Sequence, residues 1–389
     1  MSELKQNKEL IVAEVARLRP LLVELNRRIY DHPEIGLQEW QTAALLGQTL
    51  KDAGFTVEEG VAGLSTAFAA RLGNGDYHIA LLAEMDALPT LGHACGHNII
   101  GVAAVGAAIA LARTLPKDSF RLTLLGTPAE ELGIGKVELI RAGAFRDVDV
   151  AMMVHPSSRR LVIKEYLGLV RLSFTFYGRA AHAAAYPEEG INALDAVIQT
   201  FNAINALRQQ TRQDVRLHGI ITDGGVAPNI IPERAACSFY VRAADLDELQ
   251  RVKARVIACA EGAALVTGCR LHCDEDPRIL APLKINRSLS NLYSRQLSYL
   301  GLEEAVAPPD RNRGSSDIGN VSQVVPTIHP HVPIGSGIHI HTDPFAQATV
   351  SPQGEEALVE GATALALTAC ELILSPAERR DVAAEFGAP

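Results

Sequence analysis

The sequence has no basic run, no Cys-x-x-Cys pair, no internal repeat and no apolar stretch long enough to cross a bilayer, and each absence removes a class of function. Lys and Arg number 36 against 45 Asp and Glu, a net charge of −9 with no basic arm. Nucleic-acid and anionic-membrane surfaces depend on clustered Lys and Arg that neutralise phosphate, so neither is expected as a partner. The six cysteines, at 95, 237, 259, 269, 273 and 370, form no framework. They read as scattered, reduced thiols of a cytoplasmic protein. The N-terminus, MSELKQNKELIVAEV, has no positive segment followed by an apolar one, so no secretory signal is expected. The most apolar stretch, Ile99 to Leu111, is rich in Ala and Gly and shorter than the ~20 residues a membrane span needs. Aromatics are sparse at 5%, but 48% apolar and 21% charged residues suit a folded chain and argue against disorder.

What is present is length and alternation. At about 150 residues per domain, 389 residues imply two or three domains. Apolar positions at helical spacing run from Leu10 to Ile29, with Pro20 expected to divide or kink the helix. A helix over 38–53 follows. Strands then alternate with helices: FTVEEG, STAFAARL, YHIALLAEMDA, the buried helix IIGVAAVGAAIALARTL, FRLTLLGT, a helix near 135–142, and VDVAMMVH. Continuous apolar strands separated by helices predict an α/β layer, its sheet mostly parallel and covered by helices on both faces. The grammar changes near Leu167. LVRLSFTFYG, a helix at 191–209, VRLHGIITD, ERAACSFYVRA, a helix at 246–266 and RLHCDED spell βαββαβ, the ferredoxin-like unit. The α/β pattern resumes near Pro282, with helices at 286–300 and 352–374. The expected organisation is a discontinuous domain, 1–167 with 280–389, interrupted by an inserted domain at 168–279.

Four clusters can carry chemistry. His93-Ala-Cys95-Gly-His97-Asn98 places a thiol and an imidazole two residues apart around a glycine, donors that suit zinc and similar metals. Glu130 and Glu131 follow the strand FRLTLLGT. Adjacent carboxylates point different ways, so one can hold a metal while the other reaches a water. His155 ends an apolar strand, and the run from Gly337 to Phe345 contains His339 and His341. Each piece alone is as readily a free thiol, a solvated glutamate or a satisfied histidine. Three apolar strands, at 79–86, 120–127 and 148–155, all deliver such residues at their C-terminal ends, where parallel sheets build sites. That conjunction predicts a metal centre. In the inserted segment, His182, Asn229 and Arg242 stand out, Arg being suited to bidentate carboxylate recognition.

Taken in order, HPEIGLQEWQTA, EMDALP, GHACGHN, TPAEEL, GRAAHAAAYPEEGINALDA, APNIIPERA and HTDPF resemble the dinuclear metallopeptidase and amidohydrolase family that includes aminoacylase, carboxypeptidase G and the plant indole-acetyl-amino-acid hydrolases. GHACGHN and PTIHPH resemble most the branch with Cys at the bridging position, that of p-aminobenzoyl-glutamate hydrolase and β-alanyl-lysine-type dipeptidases. The resemblance implies Cys95, His97, Glu131, His155 and His341 as ligands of two divalent metals per subunit, zinc or else manganese or cobalt. It implies Glu130 as general base and Asp86 as the carboxylate that orients a ligand histidine. It makes the inserted domain a lid that dimerises, with His182 acting in trans on the oxyanion and Asn229 and Arg242 holding the substrate's carbonyl and carboxylate. A second, different subunit is a further partner that some such hydrolases need. The substrate implied is a small amide or dipeptide. Two positions depart from the branch: Asn98 and Glu84 stand where Asp is usual. The rival readings are a non-catalytic subunit and a hydrolase with Cys95 as thiol nucleophile and His97 or His93 as its base.

Overall fold

The computed structural model describes residues 3–306 and 313–387, and these divide into two compact units. The first comprises the chain up to Glu165 and from Lys284 onward; the second is Tyr166–Leu283.

In the first unit, α1 (Glu3–Asp31) and α2 (Trp40–Asp52) precede β1 (Thr56–Glu59), β2 (Phe68–Leu72) and β3 (His78–Glu84). Then come α3 (His97–Thr114), β4 (Arg121–Thr127), α4 (Gly135–Arg141), β5 (Val150–Met152) and β6 (His155–Ser157). The second unit holds β7 (Gly168–Tyr177), α5 (Ala193–Arg208), β8 (Arg216–Asp223), β9 (Arg234–Ala243), α6 (Leu246–Thr267) and β10 (Arg270–Glu275). The first unit then resumes with α7 (Arg287–Tyr299), α8 (Ile318–Val324), β11 (Thr327–Ile328), β12 (His331–Pro333), α9 (Asp343–Ala348), α10 (Pro352–Leu374) and α11 (Pro376–Gly387).

The main sheet runs β1-β2-β4-β3-β5-β11. Its centre is parallel, β4 with β3, β3 with β5 and β5 with β11, while β1 and β2 add an antiparallel edge. From Ile79 to Glu84 every residue of β3 is buried, as are Leu122 to Thr127 of β4. Burial of alternate and intervening side chains together requires cover on both faces, as the unbroken apolar runs predict. The α/β expectation therefore stands.

Three differences from expectation have physical causes. Pro20 lies inside one continuous α1. A mid-helix proline costs about 3 kcal/mol, but Ile11, Val15, Leu18, Leu22, Leu25 and Ile29 bury one unbroken stripe that outweighs it. VDVAMMVH is not one strand: β5 stops at Met152, and His155 opens β6, which leaves the main sheet to pair in parallel with β12. The helices α8 and α11 were not expected from the sequence, the first too short and the second too polar to show a helical stripe.

In the second unit, the sheet order β10-β7-β9-β8, all antiparallel, is the ferredoxin-like arrangement expected from βαββαβ. Its helices are capped by side chains, Asn192 for α5 and Asp245 for α6. Val170, Phe174, Phe176, Phe239 and Val241 build a separate core with α5 and α6.

Contrary to the expectation from the sequence, two helices, α3 and α10, are long and apolar enough to span a membrane, yet each is 83% buried over its apolar window. They pack on each other and on α1. Gly106 of α3 sits at that crossing, where a β-carbon would lie 2.8 Å from Leu22 and 3.1 Å from Ala362. Gly106→Val is expected to cost about 2 kcal/mol through overpacking, read as a lower urea midpoint with an unchanged slope.

Candidate metal centre

The first unit gathers seven of the ten residues singled out in the sequence at the C-terminal ends of its parallel strands. β3 delivers Asp86, two residues beyond its end. The chain then loops back through Cys95 and Gly96 to start α3 at His97. Gly96 has φ +84°, and a β-carbon there would lie 2.2 Å from Pro156 Cγ. Only glycine allows this approach, and it brings Cys95 Sγ within 3.6 Å of His155 Nε2. His155 Nδ1 donates to the Pro156 carbonyl at 2.7 Å, which leaves the Nε2 lone pair facing the thiol.

β4 delivers the paired glutamates through a strained turn. Ala129 has φ +56°, a conformation that costs a non-glycine residue roughly 1–2 kcal/mol. Glu39, fully buried, holds it there by accepting from the Ala129 N–H at 2.8 Å, while its other oxygen accepts from Thr66 at 2.7 Å. Asp86 fixes the rest: Oδ1 meets His97 Nδ1 at 3.0 Å and Oδ2 accepts the Glu131 N–H at 3.0 Å. His341, at φ +64°, is tied to the cysteine loop by its N–H donating to Ala94 O at 2.9 Å.

Four three-donor groups form among the described residues, one of them His97 with Glu130 and Glu131 and another Glu84 with Glu130 and Asp317, and the other two share one sulfur. Ligand atoms of Cys95, His97 and His155 lie within 4.8 Å of one another, and so do those of Cys95, Glu131 and His341. His341, not His339, makes the second group. Among the described residues, His97 Nε2 and Glu131 Oε1 are buried without a hydrogen-bond partner. An orphaned buried polar atom is costly, and both atoms face the neighbouring donors. Thiolate, imidazole and carboxylate suit zinc-like divalent ions, so the residues fit a pair of metals.

The electrostatics agree. Burial alone would lower the His97 imidazole, but Cys95, Asp86 and Glu84 outweigh it and hold the group well above its usual range. Burial raises Cys95 well above the ordinary thiol. Glu130 is raised by burial, then by Glu84, Asp317 and Glu131; for Glu131 burial is outweighed by His341 and His97, and the group sits low. Adjacent carboxylates are thus driven apart, which is how environment assigns two roles to one residue type.

The other three sequence candidates lie in the second unit. His182 and Asn229 come together, with His182 bridging to Ile230 and Ala183 N–H donating to Asn229 O at 3.0 Å. His182 is exposed, and its Nδ1 accepts the Ala184 and Ala185 N–H groups. The proton therefore sits on Nε2, which is left as a donor. Arg242 is half-buried at the far end of β9, paired in register with Leu169 and Arg216. It stands eight residues along the strand from Arg234, about 27 Å at the usual strand rise.

The structure also places around the centre residues to which the sequence assigned no role. The Asn98 amide, noted as a departure, turns away to Thr349 at 3.0 Å. Glu84, the other departure, pairs with Lys136 at 2.6 Å and faces His97 Nε2 at 3.3 Å. His329 and His331 pack against His155, with ring centroids 5.3 and 5.1 Å away, and burial keeps all three neutral. The only sequence signals were charged or polar residues set in apolar text: Lys136 in GIGKVELI, Asp317 in SSDIG and the histidines of PTIHPH.

Known proteins resemble this chain. Residues 166–267 match a family profile described as a peptidase dimerisation domain. The chain is 38% identical over 379 residues to a mouse Xaa-Arg dipeptidase, covering 93% of this chain and 88% of that protein. It is 36% identical over 307 residues to one subunit of the p-aminobenzoyl-glutamate hydrolase of Escherichia coli K12, covering 74% of this chain and 64% of that one. Among solved structures, a dinuclear metal binding peptidase of the M20 family from Bacillus subtilis shares the fold with a TM-score of 0.74 at 20% identity, over 92% of this chain and 99% of its own.

Asp86 touches both the imidazole of His97 and the backbone of Glu131. Asp86→Asn is therefore expected to weaken divalent-metal affinity roughly 10–100-fold, measured by calorimetric titration of metal into the stripped protein.

Proposed function

The chain belongs to the M20 peptidase family and is a metal-dependent hydrolase of amide bonds; from that premise we propose that it cleaves dipeptides or N-acyl amino acids, releasing an amino acid with a free carboxylate, at a centre where two donor groups containing Cys95 would each hold a divalent ion. The observation that carries this reading is the single sulfur shared by two three-donor groups. Cys95, His97 and His155 would hold one ion, and Cys95, Glu131 and His341 the other. Zinc is the first choice for a thiolate and three imidazoles, with manganese or cobalt as alternatives. When bound, such a pair supplies Lewis-acid polarisation of the scissile carbonyl and lowers the pKa of water.

The protein's own residues do the rest. Asp86 fixes the His97 tautomer, so that Nε2 faces the centre. Glu130, not required as a ligand by either group, takes the proton of the attacking water and returns it to the leaving amine. Its raised carboxyl affinity for protons suits that shuttle. The Nε2 donor of His182 and the amide of Asn229 stabilise the oxyanion, and Arg242 takes the substrate carboxylate. Arg216 directly opposite and Arg171 nearby add positive charge there, an arrangement that favours an anion.

A thiol nucleophile at Cys95 is the weaker reading. Reactive cysteines have lowered pKa values, whereas burial raises this one, and its sulfur belongs to both donor groups.

The assembly proposed is a homodimer through the second unit. The edge strand β8 shows Ile220 66% and Ile221 47% exposed, an apolar edge of the kind that pairs with a second copy. The separation of Arg242 from His182 and Asn229 supports sharing between copies. Along β9 about 27 Å separates Arg242 from Arg234, which stands five residues after Asn229; this is more than a dipeptide's length, so His182 and Asn229 would serve the partner's substrate.

Two outcomes test the reading. Glu130→Gln should keep its metal content while losing turnover by roughly 10²–10⁴-fold, with metal analysis beside steady-state release of amino acid; parental turnover would sink the assignment. His182→Ala and Arg242→Ala chains should each be nearly inactive alone. Mixed and allowed to exchange, they should recover about a quarter of the parental activity, because half the dimers then hold one complete site; no recovery would refute the trans arrangement.

A further inference from the structure

Beside the metal centre lies a second buried charge cluster. Lys136, at the start of α4, is fully enclosed. Its Nζ sits 2.6 Å from Glu84 Oε1 and 2.6 Å from Asp317 Oδ1, and its backbone N–H donates to Asp317 Oδ2 at 3.0 Å. Carboxylate oxygens of Glu84, Glu130 and Asp317 lie within 4.8 Å of one another. Three carboxylates so close in a dry interior repel strongly and need a cation among them. Asp317, Glu84 and Glu130 all act on the ammonium and outweigh the burial that would otherwise discharge it.

The backbone is shaped to put the lysine there. A β-carbon on Gly135 would lie 1.8 Å from Pro128 O, so only glycine lets the turn after Glu131 close this tightly. The same turn that presents Glu130 therefore buries Lys136 behind it. The far oxygen of Glu84 faces His97 Nε2 at 3.3 Å and, among the described residues, has no hydrogen-bond partner. Lys136 thus anchors one end of a buried line that runs through Glu84 and His97 to Asp86. It reaches neither solvent nor substrate.

We propose that Lys136 is a positioning residue for the reaction: a fixed internal ammonium that gathers Glu84 and Asp317 and, through them, holds Glu130 aligned for proton transfer. The inference rests on Glu130 being the base. The ammonium supplies from within the chain the positive charge that this carboxylate cluster needs. Its removal leaves the two metal groups intact and lets Glu130 drift.

The test is Lys136→Met in the metal-loaded enzyme, with kcat, KM and metal content read together. The expected result is a fall in kcat of about 100-fold, the scale of an ångström's misplacement of a reacting group. KM should stay within about threefold and metal content should match the parent, because Lys136 touches neither substrate nor ligand atoms. Lys136→Arg, which keeps the charge, should regain part of the loss. In a Glu130→Asp background, where the base is already displaced, Lys136→Met should cost no more than about threefold further. Parental kcat, a loss that tracks lost metal, or a full 100-fold loss in the Glu130→Asp background would each overturn the inference. If Lys136→Met does not fold, Lys136→Met with Asp317→Asn removes one charge of each sign, and the same expectations apply to it. An inactive Glu130→Gln beside a fully active Lys136→Met refutes only the role of Lys136. A fully active Glu130→Gln refutes the base itself, and this inference with it.

Discussion

The carboxylate of Asp86 is the constraint on which the site depends. One oxygen meets the His97 ring and the other accepts the Glu131 N–H, so a single buried group ties the start of α3 to the turn after β4. Without that tie, a soft loop and a strained turn would have to find each other from opposite strands. Asp86 is itself fixed by the sheet, because β3 is buried from Ile79 onward and ends two residues earlier. Rigid strands thus pass their precision to a loop through one side chain, as α/β sheets do when they build sites at their C-terminal edges.

Glu39 does for Glu130 what Asp86 does for Glu131. By accepting the Ala129 N–H it stabilises a left-handed alanine, and a left-handed residue just before paired glutamates lets one face the centre from a different side than its neighbour. Gly96 and Gly135 permit the close approaches on either side, against Pro156 and against the Pro128 carbonyl. Backbone strain is concentrated where the donors converge, and buried carboxylates hold it in place. The concentration of negative charge follows from this, and so does the need for cations: a fixed lysine lies among the carboxylates of Glu84, Glu130 and Asp317, and the donor groups suit divalent ions.

Much of this was legible in the sequence, and the part that was not has a common cause. The strands ending in acidic, Cys and His residues announced the centre because β-structure sends chemistry to strand ends, a local rule. GHACGHN, TPAEEL and HTDPF pointed to the proposed donors through their resemblance to a known family, since each cluster alone was as readily an ordinary thiol, glutamate or histidine. The resemblance favoured His341 over His339, and in space a φ of +64° and a hydrogen bond to Ala94 set His341 beside Cys95 and Glu131. Lys136 and Asp317 were illegible for a deeper reason. They stand 181 residues apart and meet only after the second unit's sequence has been looped out between them. A buried ion pair carries no periodicity, so its members look like ordinary surface charges until packing removes the water. Pro20 misled in the opposite sense, because a local rule yielded to a tertiary stripe of six apolar residues.

The second unit explains why a hydrolase of small molecules should carry a domain whose own core needs nothing from the first. Its β7 and β9 are ten residues each, which sets His182 and Asn229 at one end of the sheet and Arg242 at the other. A strand cannot shorten without losing ladder bonds, and neither end can move toward the other. A single copy is therefore a ruler with polar groups at both tips. In the proposed dimer, two copies joined along the β8 edge turn that fixed length into an advantage, since the tip of one copy can be presented where the other lacks it. The exposed isoleucines of β8 and the exposed donor of His182 then belong to one design: association completes the polar surroundings of the reacting amide, and the sheet keeps both contributions in register.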